Sequence, residues 1–167
     1  LGRFSHEKGT KLLRELIEKL QNQENFQFEI ACPENNDNCD YTAIKKLSIK
    51  SNKIRIINNI KENNKIDFFS RIDLLIVPSF SFETGPMVVQ EAIVSGTISL
   101  VPNIGGSNEF HEQFPEMVVT YEWNNLESLI EKIEILKNSI SKNNSSYRQS
   151  IELGTFLEAH LNLYNSN

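Results

Sequence analysis

The sequence predicts an α/β fold, a parallel sheet with helices wound on both faces. Three observations lead there. Short strand-like segments alternate with helix-like ones, the order that builds right-handed strand–helix–strand crossovers. One of them, "DLLIVPS", is an almost unbroken apolar run, as a strand covered on both faces requires. The 167 residues, 39 % hydrophobic and 23 % charged, suffice for one domain with a substantial core, spanning residues 1–167.

Taken in order, "LGRF" reads as the end of a short strand. "KGTKLLRELIEKL" follows with helical spacing through Leu12, Leu13, Leu16, Ile17 and Leu20. "FQFEIAC" alternates as a strand, "YTAIKKLSIK" is a short helix, and "KIRIIN" is the next strand. A helix through Asp67, Phe68 and Phe69 leads into "DLLIVPS". A helix from Pro86 to Ser95 comes next: proline suits a first turn, where its missing N–H has no partner, and Gly96 suits the C-terminal stop. "TISLVP" is a strand, "NIGGSNEF" a loop, and "MVVT" a short strand. "NLESLIEKIEILKNSI" carries a helical apolar stripe facing the core. A last helix covers residues 147–164, interrupted near Gly154. The Asn/Ser-rich segments 34–40, 63–64 and 138–146 read as loops.

The net charge of −5 argues against nucleic-acid binding and against broad attraction to anionic membranes, both of which want a basic face. A bound phosphate would need local positive charge. No apolar run reaches the roughly 18 residues of a membrane span, and no signal peptide is visible. The two cysteines, Cys32 and Cys39, match no zinc or redox spacing and read as reduced thiols. His6, His111 and His160 are scattered and form no metal-ligand pair, so no metal is expected. The chain opens without an initiator Met, which reads as a piece excised from a longer protein.

In open α/β sheets, ligands bind beyond the carboxyl ends of the strands. Three segments with unusual chemistry fall there: "GRFSHEKG", "PSFSFETGP" and "PNIGGSNEF". In the second, Glu83 stands just ahead of a helix and Glu91 inside it, about 7 Å along the axis from Pro86. Free amides at that helix start would make an anion site. Bland readings exist for each residue. Arg3 and Lys8 could be solvated loop charges, Glu83 could simply complement the helix dipole, and Gly105 and Gly106 could form only a tight turn. Glu91 lies among Val88, Val89, Ala92 and Ile93, and a carboxylate on a buried helix needs a partner. Tyr121 and Trp123 read as packing the last strand.

"GRFSHEKG", "DLLIVPSFSFETGPMVVQEAIVSG" and "GGSNEF", in that order, resemble the donor-binding C-terminal domain of GT-B glycosyltransferases. The likeness is closest to the retaining family 4, the "glycosyl transferases group 1". It extends over nearly the whole chain, and its most specific element is the pair of glutamates with seven residues between. The resemblance implies a Rossmann-like sheet forming one half of a GT-B fold. It implies a nucleotide diphosphate sugar as donor substrate, with no cofactor and no metal. Arg3 and Lys8 match the basic pair that grips the diphosphate. The amides of Gly85, Met87 and Val88 would lie near the phosphates. Glu83 matches the catalytic-site acid that contacts the transferred sugar, and Glu91 the carboxylate that accepts the ribose hydroxyls. Asn58, Gly105 and Gly106 fall where the loops approach base and sugar.

Two positions depart from the pattern. Asn58, the last residue of "KIRIIN", replaces the usual Gly at that strand end, and Thr97, the first residue of "TISLVP", replaces the usual Pro at that strand start. The resemblance also implies an N-terminal acceptor domain of the same full-length protein, absent from this chain, so that the fragment alone would be inactive. Family habit implies a bacterial enzyme of surface-polysaccharide or glycoconjugate biosynthesis. It would work in the cytoplasm, at the inner membrane face as a peripheral protein. Two other readings stay open: a GT-B sugar-nucleotide epimerase, and a degenerate nucleotide-sugar-binding module.

Overall fold

The structure, a computed structural model, describes residues 3–34, 38–61 and 64–143. Among the described residues the strands are β1 (Phe28–Cys32), β2 (Ile54–Asn58), β3 (Leu74–Ile76), β4 (Ile98–Pro102) and β5 (Val118–Tyr121). The helices among them are α1 (Thr10–Leu20), α2 (Cys39–Lys50), α3 (Lys65–Arg71), α4 (Met87–Val94), α5 (Gly105–Gln113) and α6 (Leu126–Asn143), and a 3-10 turn covers His6–Lys8. All pairings are parallel: β1 with β2, β3 with β4, and β4 with β5.

Alternation along the strands sends side chains to opposite faces, and each face receives its own helices. Leu75, Val77, Val101 and Val118 pack with Phe68 and Phe69 of α3 and with Val89, Ala92 and Ile93 of α4. Leu100 and Tyr121 point the other way, onto Leu12, Leu16 and Leu20 of α1 and Leu129, Ile133 and Leu136 of α6. Ile17, Ile30, Ile44 and Ile54 join α1 and α2 to the first two strands. The doubly wound α/β arrangement is therefore present, with helices on both sides.

Among the described residues the strands form two sheets, β1-β2 and β3-β4-β5. A cleft of about 840 Å³ separates them, lined by residues 28–31 on one side and 74–77 on the other. At the carboxyl ends of β1 and β3 its lining reaches Arg3, Lys8, Ser79 and Glu83.

Several local expectations are corrected. Of "LGRF", Leu1 and Gly2 lie outside the described residues, and Arg3 and Phe4 belong to no strand; Phe4 instead meets the Tyr41 ring edge-on at 5.1 Å. "NIGGSNEF" is not a loop, because α5 begins at Gly105. The Asn-rich segments are shorter than their composition suggests. The Asn38 side chain caps α2 by accepting from the amides of Asp40 and Tyr41, so the helix starts at Cys39. Likewise α6 runs on through residues 138–143. Pro86 is the N-cap of α4 rather than its first residue, with φ −66° and ψ 111°. Trp123 is 44 % exposed, whereas Tyr121 is buried. The last helix (147–164), with Gly154 and His160, lies outside the described residues.

Candidate functional site

The site is built where the loop after Arg3 meets the loop after β3. Gly9 has φ 68°, a left-handed conformation, and a Cβ there would lie 1.7 Å from the Pro78 carbonyl oxygen. Only glycine allows that approach. The Glu7 carbonyl then accepts from the amides of Phe80 (2.8 Å) and Ser81 (3.3 Å). Two segments about seventy residues apart in sequence are thereby fixed to each other, and each contributes one partner of an ion pair. Lys8 Nζ lies 2.8 Å from Glu83 Oε1.

Ser79 completes this group. It is buried, and its hydroxyl lies 2.6 Å from Glu83 Oε1 and 3.1 Å from the Glu7 carbonyl. Its single proton goes to the nearer, charged acceptor. Burial pushes the Glu83 carboxyl up, but the hydrogen bonds from Lys8 and Ser79 and the charge of Lys8 outweigh it. The carboxyl is held below its ordinary range. Glu83 is thus an ionised acceptor on the wall of the cleft, beside the lysine ammonium.

The α5 N-terminus closes the group from the far side. The Gly106 amide donates to the Glu83 carbonyl at 2.7 Å. A Cβ on Gly106 would meet the Gly85 nitrogen at 2.7 Å and the Glu83 oxygen at 2.8 Å. Gly105, at φ 54°, approaches Glu83 in the same way. Both glycines therefore serve loop-to-loop packing that sets the 83–85 backbone. Gly85 itself has φ 144° and turns the chain into Pro86 and α4. Met87, 70 % exposed, and Val88 occupy the first turn of α4, where amides lack intrahelical partners.

Glu91 sits one turn further along α4 and faces a different element. Its Oε1 accepts from Lys65 Nζ at 2.7 Å, and the two side chains are 22 % and 21 % exposed. The partner expected for this carboxylate is thus a lysine on α3. Arg3 lines the cleft with Lys8, Glu83 and Val88; it is exposed and has no ion-pair partner among the described residues. Asn58 ends β2 opposite Cys32, and its Oδ1 accepts from the Cys32 thiol at 3.7 Å. It is followed by Asn59 at φ 52° and does not line the cleft. The structure thus gathers Arg3, Lys8, Glu83, Gly85, Val88, Gly105 and Gly106, with Glu91 and Asn58 standing apart from that group.

Three residues escaped the sequence reading. Ser79 was visible only as the Pro-Ser strand end, and Gly9 as the end of a quoted loop. Lys65 gave no signal at all, since nothing links it to Glu91 before α3 packs on α4. Thr97 has a structural role: its hydroxyl donates to the Phe69 carbonyl at 2.8 Å, satisfying the end of α3. His6 stacks edge-on with Phe80, and His111 Nδ1 lies 2.6 Å from the Val118 carbonyl, a tie between α5 and β5. No helix among the described residues is long and apolar enough to cross a membrane.

Solved structures of known proteins share this fold. The catalytic domain of starch synthase IV from Arabidopsis thaliana, bound to ADP and acarbose, is 19 % identical with a TM-score of 0.71; the match covers 99 % of this chain and 37 % of that one. The catalytic domain of cholesterol-alpha-glucosyltransferase from Helicobacter pylori is 17 % identical, with a TM-score of 0.67 over 98 % of this chain and 95 % of that one. HepE from Anabaena, in complex with UDP, is 15 % identical with a TM-score of 0.64, covering 99 % of this chain and 48 % of that one. The chain therefore spans less than half the length of the starch synthase and HepE chains. No curated protein matches the sequence. The family model for "Glycosyl transferases group 1" matches residues 1–151. With that match over most of its length, on the Rossmann-like fold of GT-B enzymes, the chain belongs to the glycosyl transferases group 1.

Proposed function

We propose that the chain, residues 1–167, is the nucleotide-sugar-binding domain of a retaining, metal-independent glycosyltransferase. The observation that carries this is the ionised Glu83 beside Lys8, at the carboxyl end of β3 and just ahead of α4. A nucleotide diphosphate leaving group accumulates negative charge as its bond to the anomeric carbon breaks. Arg3, Lys8 and the amides of Gly85, Met87 and Val88 supply positive potential for it without a metal or other cofactor. Lys8 has three donors, so it can hold Glu83 and a phosphate oxygen together. Glu83, an acceptor on both oxygens, suits the hydroxyls of the transferred sugar, which is the catalytic-site role we give it. Glu91 accepts the ribose hydroxyls. The loop at Asn58 and the α5 start at Gly105 and Gly106 flank the base and sugar.

The acceptor hydroxyl would approach from an N-terminal domain of the full-length protein, and this fragment alone would not transfer a hexose. Retention, the bacterial polysaccharide or glycoconjugate setting and a cytoplasmic site at the inner membrane face are readings from the family. The test is titration calorimetry with UDP, GDP and ADP. ADP and UDP are the nucleotides bound in two of the similar structures. Saturable binding of one nucleotide, weakened about tenfold or more in both Arg3→Ala and Glu91→Ala, is the expected result. Binding indifferent to both substitutions would instead identify a degenerate module. Conversion of a nucleotide sugar to its epimer without any acceptor would identify an epimerase.

A further inference from the structure

The structure assigns Lys65 as the positioning residue of the ribose site, holding the Glu91 carboxylate in place for two hydroxyls; this rests on the donor-binding reading of Glu91 above. The Lys65–Glu91 contact is short, 2.7 Å, and both side chains are about four-fifths buried. A charge-assisted bond of that kind is shorter and stronger than a neutral one and anchors Oε1. It uses one lone pair of Oε1. The second lone pair of Oε1 and both of Oε2 remain, enough for the two vicinal hydroxyls of a ribose.

Lys65 is placed to act through Glu91 and not on the diphosphate, since the lysine beside Glu83 and the cleft is Lys8. The neighbouring backbone supports the same assignment. Lys65 opens α3, and Phe68 and Phe69 of that helix pack with Val89, Ala92 and Ile93 of α4. The spacing between the two charged groups is therefore set by a buried interface and not by loop conformation.

The experiment compares affinities of this chain for UDP, GDP and ADP with those for their 2′,3′-dideoxy counterparts. The ratio isolates what the ribose hydroxyls contribute. Glu91→Ala should collapse it. Lys65→Met should reduce it roughly tenfold, the size of a charge-assisted hydrogen bond, while affinity for the dideoxy nucleotide stays unchanged. Lys65→Arg should recover most of the loss, and Lys65→Met should add nothing in a Glu91→Ala background. Circular dichroism and thermal melts of each variant separate these effects from unfolding.

If Lys65→Met weakens ribo- and dideoxynucleotides equally, the lysine attracts the phosphates directly and the assignment is overturned. An unchanged ratio in Lys65→Met, with a collapsed ratio in Glu91→Ala, overturns Lys65 alone and leaves the ribose reading standing. An unchanged ratio in Glu91→Ala, or no binding of any of the three nucleotides, overturns both.

Discussion

Glu83 shows how one side chain's chemistry is set by groups brought from two places in the chain. Burial alone would raise its carboxyl; Lys8 and Ser79 reverse the sign. Because the folded value lies below the ordinary one of 4.5, the stabilisation is complete above that pH. It is lost as pH falls through the folded value. Lys8→Ala leaves burial opposed by Ser79 only, so the carboxyl should titrate at higher pH than in the parent. Carbon-detected NMR titration of Glu83 reads this directly. The stabilities of variant and parent, from urea unfolding, should converge in acid. An unmoved Glu83 titration would mean that the lysine does not govern the carboxylate. A second prediction concerns the thiols. Cys32 is buried, with its thiol pushed up by desolvation, while Cys39 is exposed. One thiol should react rapidly with a disulfide reagent and one only on unfolding; two fast thiols would contradict the burial of Cys32. At this scale the sequence revealed which residues carry charge, but not their partners. Glu83 and Glu91 were legible as a pair, whereas Ser79 and Lys65 became functional candidates only through distances.

Elements were more legible than partners, because periodicity is a local property. The stripe of α1 and the apolar run at β3 carry their own signals, and each became the expected element. The exception is α5. Two glycines, a serine and an asparagine give it the composition of a loop, and only tertiary contacts make it a helix start. Its Gly106 amide is satisfied by the Glu83 carbonyl, and a larger residue would not fit against residues 83–85. Segment contact of this kind overrides propensity. The same reasoning ranks the glycines by the cost of adding a methyl group. Gly9→Ala combines a left-handed backbone with a Cβ 1.7 Å from a carbonyl oxygen, and should cost roughly 3 kcal/mol or more. Gly85→Ala meets only backbone strain, its nearest neighbour being the Gln90 side chain at 3.8 Å, and should cost about 1–3 kcal/mol. Urea unfolding of the two variants gives the order. A Gly85 variant less stable than the Gly9 variant would mean that the loop between Lys8 and α1 yields easily.

The whole molecule has a property that no single site predicts. The doubly wound order followed from the alternation of segments, but the pairing of β1 with β2 and of β4 with β3 and β5 did not, since pairing partners are long-range choices invisible to a local pattern. The carboxyl ends of β1 and β3 are where an acidic chain, net −5, presents Arg3 and Lys8. A nucleoside diphosphate approaching them meets two opposing fields. The molecule as a whole repels it, and the local cations attract it. Lys8 is largely neutralised by Glu83, so Arg3, exposed and without an ion-pair partner among the described residues, supplies most of the attraction. Both fields are screened as the Debye length falls from about 30 Å at 0.01 M salt to about 8 Å at 0.15 M. In the Arg3→Ala chain the attraction is reduced to that of Lys8 and the amides at the start of α4, while the repulsion is unchanged. Its affinity should therefore fall less steeply with salt than that of the parent, so the gap between them closes. On the ribose role proposed for Glu91, Glu91→Ala removes hydrogen bonds to uncharged hydroxyls, and its deficit should hold at every salt concentration. Calorimetry over a salt series measures all three chains. A gap between Arg3→Ala and the parent that persists undiminished at high salt would mean that Arg3 is a desolvated direct ligand, not an exposed source of field.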